Sequence, residues 1–287
     1  MNSNDHVTDL LISCPENPGV ISAVTNFLAD HHANIVQFDQ NTTDPSAGML
    51  FMRISFELKD SRVSYDQVEA DLAALASDYG MYWELNPKKT RKRMAIFVSK
   101  EGHCLTELLL RWQSGEIPVE IPMVISNHDD LRHEAERYGI PYYHIPVTSE
   151  TKVQAEEKAL NLMEGKVDFI ALARYMQILT PEFVAHYPNQ IINIHHSFLP
   201  AFTGANPYVK AFNRGVKLIG ATAHYVTNDL DEGPIIEQDV QRVNHRSTAD
   251  DLKISGRHVE KQVLATAVSW HVDNKVLVHG NKTVLFV

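Results

Sequence analysis

Residues 192–204 decide the fold of the second half of the chain, and they read Ile-Asn-Ile-His-His-Ser-Phe-Leu-Pro-Ala-Phe-Thr-Gly. The apolar run over 191–194 predicts a buried strand, and the Pro and Gly that follow predict a loop at its carboxyl end. Side chains alternate along a strand, so Asn193 and His195 are expected on one face. In open α/β sheets, ligands bind where such loops begin. An amide two residues before an imidazole therefore predicts a pair of donors for a carbonyl oxygen that gains negative charge.

The loop over residues 227–234 offers a general base, and it reads Thr-Asn-Asp-Leu-Asp-Glu-Gly-Pro. Asp231 is the candidate within it, and His224 lies in the predicted strand that leads to it. Acidic loop residues are usually only solvated, and a carboxylate assists proton transfer only where the fold brings it within reach of the reacting groups. We therefore expect Asp231 to lie beside His195.

Other chemistries have weaker support from residue spacing. His195 and His196 suggest a metal ion, but neighbouring strand residues face opposite sides and do not readily share one. No His-Glu-x-x-His motif, Gly-x-Ser-x-Gly elbow or P-loop is present. Cys14 and Cys104 form no Cys-x-x-Cys pair, so neither a disulfide framework nor a thiolate zinc site is expected. Cys104 is interpreted as a small buried hydrophobe rather than a thiol nucleophile. We expect no metal site and no cofactor.

Around this stretch, strands alternate with helices, which is typical of a mostly parallel α/β sheet. Strands are predicted over 94–99, 120–126, 169–173, 191–194, 218–226 and 235–240. Helices are predicted over 104–112, 129–138 and 151–163, with Ser149 as a cap, and at Thr180-Pro181. A long helix capped by Ser247 runs to about residue 269, and a hairpin turning at Gly280-Asn281 ends the chain.

The first 87 residues have a different pattern, namely strand, helix, strand, strand, helix, strand. The predicted helices run over 20–30 and 65–79, and the order is that of a ferredoxin-like α+β sandwich. Residues 88–93 separate the two patterns and carry five basic side chains, which indicates a solvated linker. A nucleic-acid contact or targeting signal is the alternative for this basic run. The predicted domains are therefore 1–87 and 94–287, joined by 88–93.

Composition limits the classes of function that remain. The chain has 287 residues, of which 44% are apolar, and its net charge is −10. It can bury a sizeable core, and its acidic character argues against nucleic acid and anionic membranes as partners. The polar N-terminal residues lack the profile of a signal peptide, so none is expected, and no apolar run approaches the ~20 residues of a membrane helix. A cytoplasmic location is expected.

Residues 14–21 carry a first resemblance, because they read Cys-Pro-Glu-Asn-Pro-Gly-Val-Ile and are followed by Leu28, Asn34 and Ile35. This pattern resembles the ACT domain family, in which an Asp-x-Pro-Gly signature lies between the first strand and the first helix. Small effectors, often amino acids, bind near that loop in the family. The resemblance implies a regulatory or assembly domain.

The resemblance places effector binding at Glu16, Asn17 and Gly19. Glu16 stands where the family usually has Asp, so the signature is altered at this position. Glycine or methionine is the type of effector that the resemblance implies. The alternative is that Gly19 only permits a tight turn. Because ACT domains usually pair, a homo-oligomer is also implied.

A second resemblance rests on residues 193–204 together with 230–236, which resemble the folate-dependent formyltransferases. In that family an Asn, a His two residues later and an Asp on a following loop form the catalytic triad. These roles fall on Asn193, His195 and Asp231. His196 stands where many members have Pro. The family implies a Rossmann-like fold for 94–287.

The same resemblance implies a folate-binding segment. Residues Tyr175, Met176, Gln177, Ile178 and Leu179 match the family's Phe/Tyr-Met-x-Ile-Leu segment, with Gln177 where glycinamide ribonucleotide formyltransferases have Arg. His224 also matches a family position, next to the Asp loop. The alternative for this segment is an ordinary apolar turn that packs on the core.

An ACT domain joined to this catalytic domain resembles the formyltetrahydrofolate deformylases. Two local features favour them over the transferases. Residues 99–104 hold one Gly and a carboxylate where the transferases bind a phosphate, and the loops over 204–208 and 220–224 resemble the deformylase versions. The resemblance implies hydrolysis of 10-formyltetrahydrofolate to formate and tetrahydrofolate, which supplies formate for purine biosynthesis and balances one-carbon folate pools. The folate is thus a substrate and no cofactor is implied.

Two other functions stay open at this point. One is transfer of the formyl group to an amine such as glycinamide ribonucleotide. The other is a catalytically inactive protein that senses folate or an amino acid.

Overall fold

A computed structural model describes residues 7–44, 48–58, 64–87, 91–201 and 207–287. The chain divides into two compact units. The first consists of Met1–Arg91, Asn274–His279 and Val284–Val287, and the second of Lys92–Asp273 and Gly280–Thr283. The predicted boundaries put all of 94–287 in the second domain. Asn274–His279 and Val284–Val287 instead belong to the first unit, because Leu277 and Phe286 pack against its sheet.

The first unit contains a four-stranded antiparallel sheet with two helices, in the order β2-β3-β1-β4. This is the predicted ferredoxin-like arrangement. Its elements are β1 (Val7–Pro15), α1 (Val20–Asp30), β2 (Ala33–Thr42), β3 (Met49–Leu58), α2 (Tyr65–Tyr79) and β4 (Tyr82–Pro87). The predicted turn at 44–48 lies partly outside the described residues.

Amphipathic spacing explains why both helices form where the sequence predicts them. Val20, Val24 and Leu28 are fully buried on one side of α1, and they belong to the same apolar core as β1 and β3. The Ser64 hydroxyl accepts a hydrogen bond from the backbone N–H of Gln67 at the start of α2.

The opposite face of this sheet is covered by the C-terminal hairpin, whose strands are β12 (Val276–His279) and β13 (Lys282–Leu285). Leu11 and Phe51 on the sheet pack against Leu277 and Phe286. Strand β1 is therefore buried on both faces, so its consecutive residues are all buried up to Cys14 instead of alternating between buried and exposed.

The second unit is built on a seven-stranded sheet in the order β11-β10-β9-β8-β5-β6-β7. The five neighbouring strands β9, β8, β5, β6 and β7 are parallel to one another. Strand β10 runs antiparallel to both of its neighbours, β9 and β11. The elements are β5 (Arg93–Val98), α3 (His103–Ser114), β6 (Glu120–Ser126), α4 (Arg132–Arg137), β7 (Tyr142–His144), α5 (Lys152–Met163), β8 (Phe169–Leu172), α6 (Pro181–Ala185), β9 (Ile191–His195), α7 (Pro207–Arg214), β10 (Leu218–Tyr225), β11 (Ile235–Arg242) and α8 (Ala249–Val272). The mostly parallel α/β sheet was predicted from the sequence.

Several local expectations differ from the structure. Strand β7 and helix α7 were not predicted. Arg93 begins β5 instead of ending the linker, because its backbone N–H and guanidinium bind the Asp168 carboxylate. Helix α8 is capped by Thr248, one residue after Ser247, since Thr248 and Asp251 form a reciprocal capping box. Helix α5 begins after Thr151 rather than after Ser149.

Some sequence expectations fall on residues outside the described ranges. These are residues 88–90 of the linker, 202–206 of the loop after β9, and the N-terminal 1–6. Among the helices that the structure describes, none combines the length and the apolar character needed to cross a bilayer.

Candidate active site

A cavity of about 670 Å³ lies where β5, β8 and β9 end. Its wall includes the segment after β8, the last residues of β9, the loop between β10 and β11, and the first turns of α7 and α8. This volume suits a small organic ligand. The carboxyl ends of parallel strands are the edge at which the sequence predicts binding.

Asp231 and His195 meet in this cavity. The distance from Asp231 Oδ1 to His195 Nδ1 is 3.2 Å, and the two side chains are 19% and 7% exposed. Asp231 adopts a left-handed backbone with φ of 58°, which is uncommon for a residue with a side chain. Gly233 makes the tight loop possible, because a Cβ there would lie 1.8 Å from the Tyr225 carbonyl oxygen. The predicted approach of the carboxylate to the imidazole is observed.

The two imidazoles around Asp231 set its charge. A hydrogen bond with His195, and then the nearby His224 imidazole, lowers the pKa of the Asp231 carboxyl below its usual range despite partial burial. The carboxylate is therefore ionised at neutral pH. A carboxylate with a lowered pKa is a weaker base than an ordinary one but a better partner for a positive charge on His195.

Asn193 is held by the strand next to it. The antiparallel pairing of β9 and β10 places Asn193 opposite His224, and the Asn193 amide nitrogen lies 3.1 Å from His224 Nε2. His224 Nδ1 lies 2.9 Å from the Tyr225 carbonyl oxygen, so Nδ1 carries the proton and Nε2 can accept from the Asn193 amide. Asp231 Oδ1 is 3.7 Å from His224 Nε2, too far for a hydrogen bond.

The predicted folate segment forms an irregular loop between β8 and α6 and lines the same cavity. Its ends are anchored, since Tyr175 and Leu179 are 9% exposed and belong to the core. Between them, Met176 and Ile178 are more than half exposed. The backbone N–H of Met176 donates to the Ser99 hydroxyl at 3.1 Å, which fixes the loop to the end of β5. Anchored ends thus present two apolar side chains at the cavity.

Comparison with known proteins assigns the family. Residues 92–268 match the Formyl transferase family, and residues 8–75 match the ACT domain family. A formyltetrahydrofolate deformylase from Bacillus subtilis (strain 168) is 53% identical over 286 residues, which is 99% of this chain and 95% of that protein. The structure of a formyltetrahydrofolate deformylase from Pseudomonas syringae pv. tomato is 45% identical, with a TM-score of 0.94 over 98% of this chain and 94% of that one. The chain belongs to the formyltetrahydrofolate deformylase family.

The deformylase family shares its second unit with transferases. Glycinamide ribonucleotide transformylase 1 from Symbiobacterium toebii is 28% identical, with a TM-score of 0.65 over 69% of this chain and 95% of that one. The common fold therefore does not distinguish the two kinds of protein.

His196 lines the deformylase cavity beside His195, with ring centroids 5.2 Å apart. The expectation that the two imidazoles face opposite sides is therefore wrong, because β9 ends at His195 and the alternation stops there. Burial, followed by the nearby Arg174 cation, lowers the pKa of His196 to about 4. His196 is thus neutral at physiological pH.

The predicted effector residues lie in the turn between β1 and α1 of the first unit. The Glu16 carboxylate accepts a hydrogen bond from the Thr42 hydroxyl at 2.9 Å. Gly19 precedes α1 with a φ of 94°, so it needs the conformational freedom of glycine. Asn17 is exposed. Their role in effector binding stays a prediction for this member of the deformylase family.

One cluster in the described residues has the composition of a metal site, although the sequence suggested none. His103, Cys104 and Glu260 bring one potential ligand atom each within 4.8 Å of one another. Arg174 Nε lies 3.4 Å from Glu260 Oε2, and this fixed positive charge opposes a second cation. Burial raises the pKa of the Cys104 thiol well above its ordinary value, so the thiolate that binds metals is disfavoured.

Several residues that line the cavity were not predicted as site residues from the sequence, namely Glu101, Arg174, Tyr208 and Lys253. Glu101 and Tyr208 lie in the segments 99–104 and 204–208, which favour the deformylases over the transferases, but neither side chain was assigned to the site. Arg174 directly precedes the folate segment, and that adjacency was an available signal. Lys253 lies on α8, far along the chain, and nothing in its local sequence indicates a place in the site.

Proposed function

We propose that the protein hydrolyses 10-formyltetrahydrofolate to formate and tetrahydrofolate. The observation that carries this proposal is the 3.2 Å approach of Asp231 to His195, with Asn193 on the same strand, in a cavity large enough for a folate headgroup. Membership in the formyltetrahydrofolate deformylase family supports it.

The apolar part of the cavity wall fits flat aromatic rings. Met176, Ile178 and Leu230 are 57%, 58% and 60% exposed and all line the cavity. Burying such side chains against a ring contributes about 25 cal/mol for each Å² of apolar surface removed from water. This contribution matters because the chain carries a net charge of −10 and the folate is an anion.

Hydrolysis adds water to the formyl carbon. Asp231 and a bound water act as the general base, taking one proton as the new C–O bond forms. The Asn193 amide and the protonated imidazole of His195 donate to the oxygen that becomes negative, and each such donor is worth about 3 kcal/mol in comparable sites. When the tetrahedral adduct collapses, the C–N bond breaks and its electron pair stays on N10, which takes up the proton held by Asp231. The formic acid that leaves gives its remaining acidic proton to solvent and becomes formate.

The lowered pKa of Asp231 is compatible with its role as a base only because the proton it receives becomes acidic during the addition. Water bound to an electrophilic carbon loses its proton far more readily than free water does. Once N10 has taken that proton, the ionised carboxylate again stabilises the imidazolium of His195. Every step is an addition or a proton transfer, so the proposal uses no metal or redox cofactor.

Formate release tests the proposal. The purified protein is supplied with 10-formyltetrahydrofolate without any amine, and formate and tetrahydrofolate are measured. Equal amounts of both products are expected. Formylated glycinamide ribonucleotide formed at the expense of formate when that amine is added would favour the transferase, and the absence of any turnover would favour an inactive sensing protein.

We also propose that the first unit binds an amino-acid effector such as glycine or methionine through Glu16, Asn17 and Gly19, and that the protein is a cytoplasmic homo-oligomer. The ACT domain match over residues 8–75 supports the effector part. The deformylase assay repeated with each amino acid, and the molar mass from light scattering, test the two parts separately. An unchanged rate with both amino acids contradicts the first, and a monomer mass contradicts the second.

A further inference from the structure

A second carboxylate, Glu260 on α8, organises a buried polar cluster at the cavity. Its side chain is 1% exposed. Glu260 Oε2 accepts a hydrogen bond from His103 Nε2 at 2.8 Å and lies 3.4 Å from Arg174 Nε, while Oε1 accepts from the Tyr208 hydroxyl. Arg174 and Tyr208 both line the cavity. Four polar side chains thus meet in this cluster, and two of them line the same cavity as Asn193, His195 and Asp231.

Two backbone features show that this cluster requires a special local structure. Arg174 has a left-handed φ of 65°, which a long side chain adopts only where its surroundings hold it. Gly256 on α8 faces Tyr208 closely, since a Cβ at this position would lie 2.1 Å from the Tyr208 hydroxyl oxygen. The absence of a side chain at Gly256 lets the phenol reach Glu260.

The cations on this part of the wall are already paired. Arg174 faces Glu260, and Lys253 Nζ lies 3.3 Å from Glu101 Oε1. Arg257 also binds Glu101. Each of these three cations therefore has a carboxylate of this chain as its counter-ion, which weakens its attraction for the phosphate or carboxylate of a second substrate.

We propose that Arg174 and Tyr208 determine specificity for water by occupying the space in which an amine acceptor would otherwise bind. The inference rests on the proposed hydrolysis. Asn193, His195 and Asp231 activate a formyl group without regard to the nucleophile, so the choice between water and an amine depends on what else fits near the carbon. The paired cluster leaves room for the smallest nucleophile.

The competing reaction is chemically balanced in the same way as hydrolysis. An uncharged primary amine would form the new C–N bond and lose one proton, the bond to N10 would break, and N10 would gain a proton. The products would be a formamide and tetrahydrofolate. The ratio of formamide to formate therefore measures specificity directly, independently of the overall rate.

The test uses two variants that open the cluster differently. Arg174→Gly combined with Glu260→Gln removes both charges together and relieves the left-handed strain, and Tyr208→Ala removes the phenol. Glycinamide is the probe, supplied in excess with 10-formyltetrahydrofolate at mildly alkaline pH. We expect the ratio of N-formylglycinamide to formate to rise by about tenfold or more, because a small change in pocket contacts alters discrimination by about 10- to 200-fold.

Lys261→Ala is the matched control. Lys261 follows Glu260 on α8, pairs with Glu107 at 3.1 Å, and is not part of the cavity wall. It should keep the wild-type ratio. A ratio that stays at the wild-type value in the opened variants, or that rises equally in the control, overturns the proposal. If the charge-removing variant does not fold, Tyr208→Ala decides alone.

The wild-type reaction separates this inference from the function on which it rests. If the wild-type protein releases no formate without amine, the proposed hydrolysis fails. If it releases formate and the opened variants still reject the amine, hydrolysis stands and the role of Arg174 and Tyr208 fails.

Discussion

Each unit of the molecule contains a partly or fully buried aspartate, and the two differ in what surrounds them. Asp9 in the first unit is 0% exposed, and its carboxylate accepts from Arg53 at 3.1 Å, Ser55 at 2.5 Å and Asn274 at 3.1 Å. Asp231 in the second unit is 19% exposed and has an imidazole at 3.2 Å. The backbone of Asp231, unlike that of Asp9, lies in the left-handed region.

The comparison indicates a structural role for the Asp9 carboxylate and a role in the reaction for the Asp231 carboxylate. Asp9 has a permanently charged guanidinium and neutral donors, which satisfy it without leaving a position for a ligand. Asp231 has imidazole partners instead, and it borders a cavity. Replacing the first should therefore change stability, and replacing the second should change the reaction.

The largest expected effect is that of Asp231→Asn on activity. The amide cannot take a proton or neutralise the imidazolium of His195, so we expect kcat for formate release to fall about 10³- to 10⁴-fold, the scale seen when the carboxylate partner of a catalytic imidazole becomes an amide. Folate binding, measured by fluorescence titration, should persist. Glu232→Gln, a neighbouring exposed position outside the cavity wall, is the control and should stay active. Full activity of Asp231→Asn would contradict the assigned role.

Asp9→Ala is expected to act on stability instead. Arg53 would be left as a buried charge with the partly exposed Asp39 carboxylate 3.9 Å away, and breaking a buried pair in this way costs about 3–5 kcal/mol. Denaturant unfolding should show an earlier transition. Asp71→Ala removes a pair with His31 in which the carboxylate is 45% exposed, and it should change stability little. Equal losses of unfolding free energy in Asp9→Ala and Asp71→Ala would contradict the structural role assigned to the buried Asp9.

Acid should reduce the contribution of Asp231 to stability. Its pKa in the folded protein is lowered from 3.8, so the ionised form favours folding and its contribution is fully present above that value. As the pH falls below 3.8, the unfolded chain binds the proton first and the contribution is lost. The difference in unfolding free energy between wild type and Asp231→Asn should shrink from about pH 5 to about pH 2. A difference that grows with acid would show the opposite sign of linkage.

The smallest expected effect is that of Asn281→Ala. The Asn281 amide donates to the Glu232 carbonyl oxygen at 2.9 Å, next to Asp231 in the strained loop. An exposed hydrogen bond contributes about 0.5–1 kcal/mol, so we expect kcat to fall about two- to fivefold. Lys282→Ala, at the next residue of the same hairpin, is the control. An equal loss in both variants would assign the effect to the hairpin rather than to this hydrogen bond.

Local signals made much of the fold predictable. The bounds of α1 and α2 follow from apolar spacing and from the residues at their ends, and Thr180-Pro181 begins α6 as predicted. Strand β7 has three residues, too few for a periodic pattern. The packing of Leu277 and Phe286 on the first unit depends on partners more than 200 positions away, which no local pattern encodes.

Some residues of the site could likewise be predicted from the sequence, and others could not. A family motif placed Asn193, His195 and Asp231, and their residue types explain the roles assigned to them. Arg174 and Glu260 are 86 positions apart and matter only as a pair, so neither stands out in the sequence. Their importance follows from burial and distance, which only the folded chain supplies.

The cover of the first sheet by residues near the end of the chain has a consequence for biosynthesis. Leu11 and Phe51 leave the ribosome early, but Leu277 and Phe286 follow roughly 200 residues later. At about 5–20 residues per second, the nascent N-terminal sheet keeps one apolar face bare for tens of seconds. During that interval the exposed apolar face favours binding by chaperones, and it becomes covered once Leu277 and Phe286 have been synthesised.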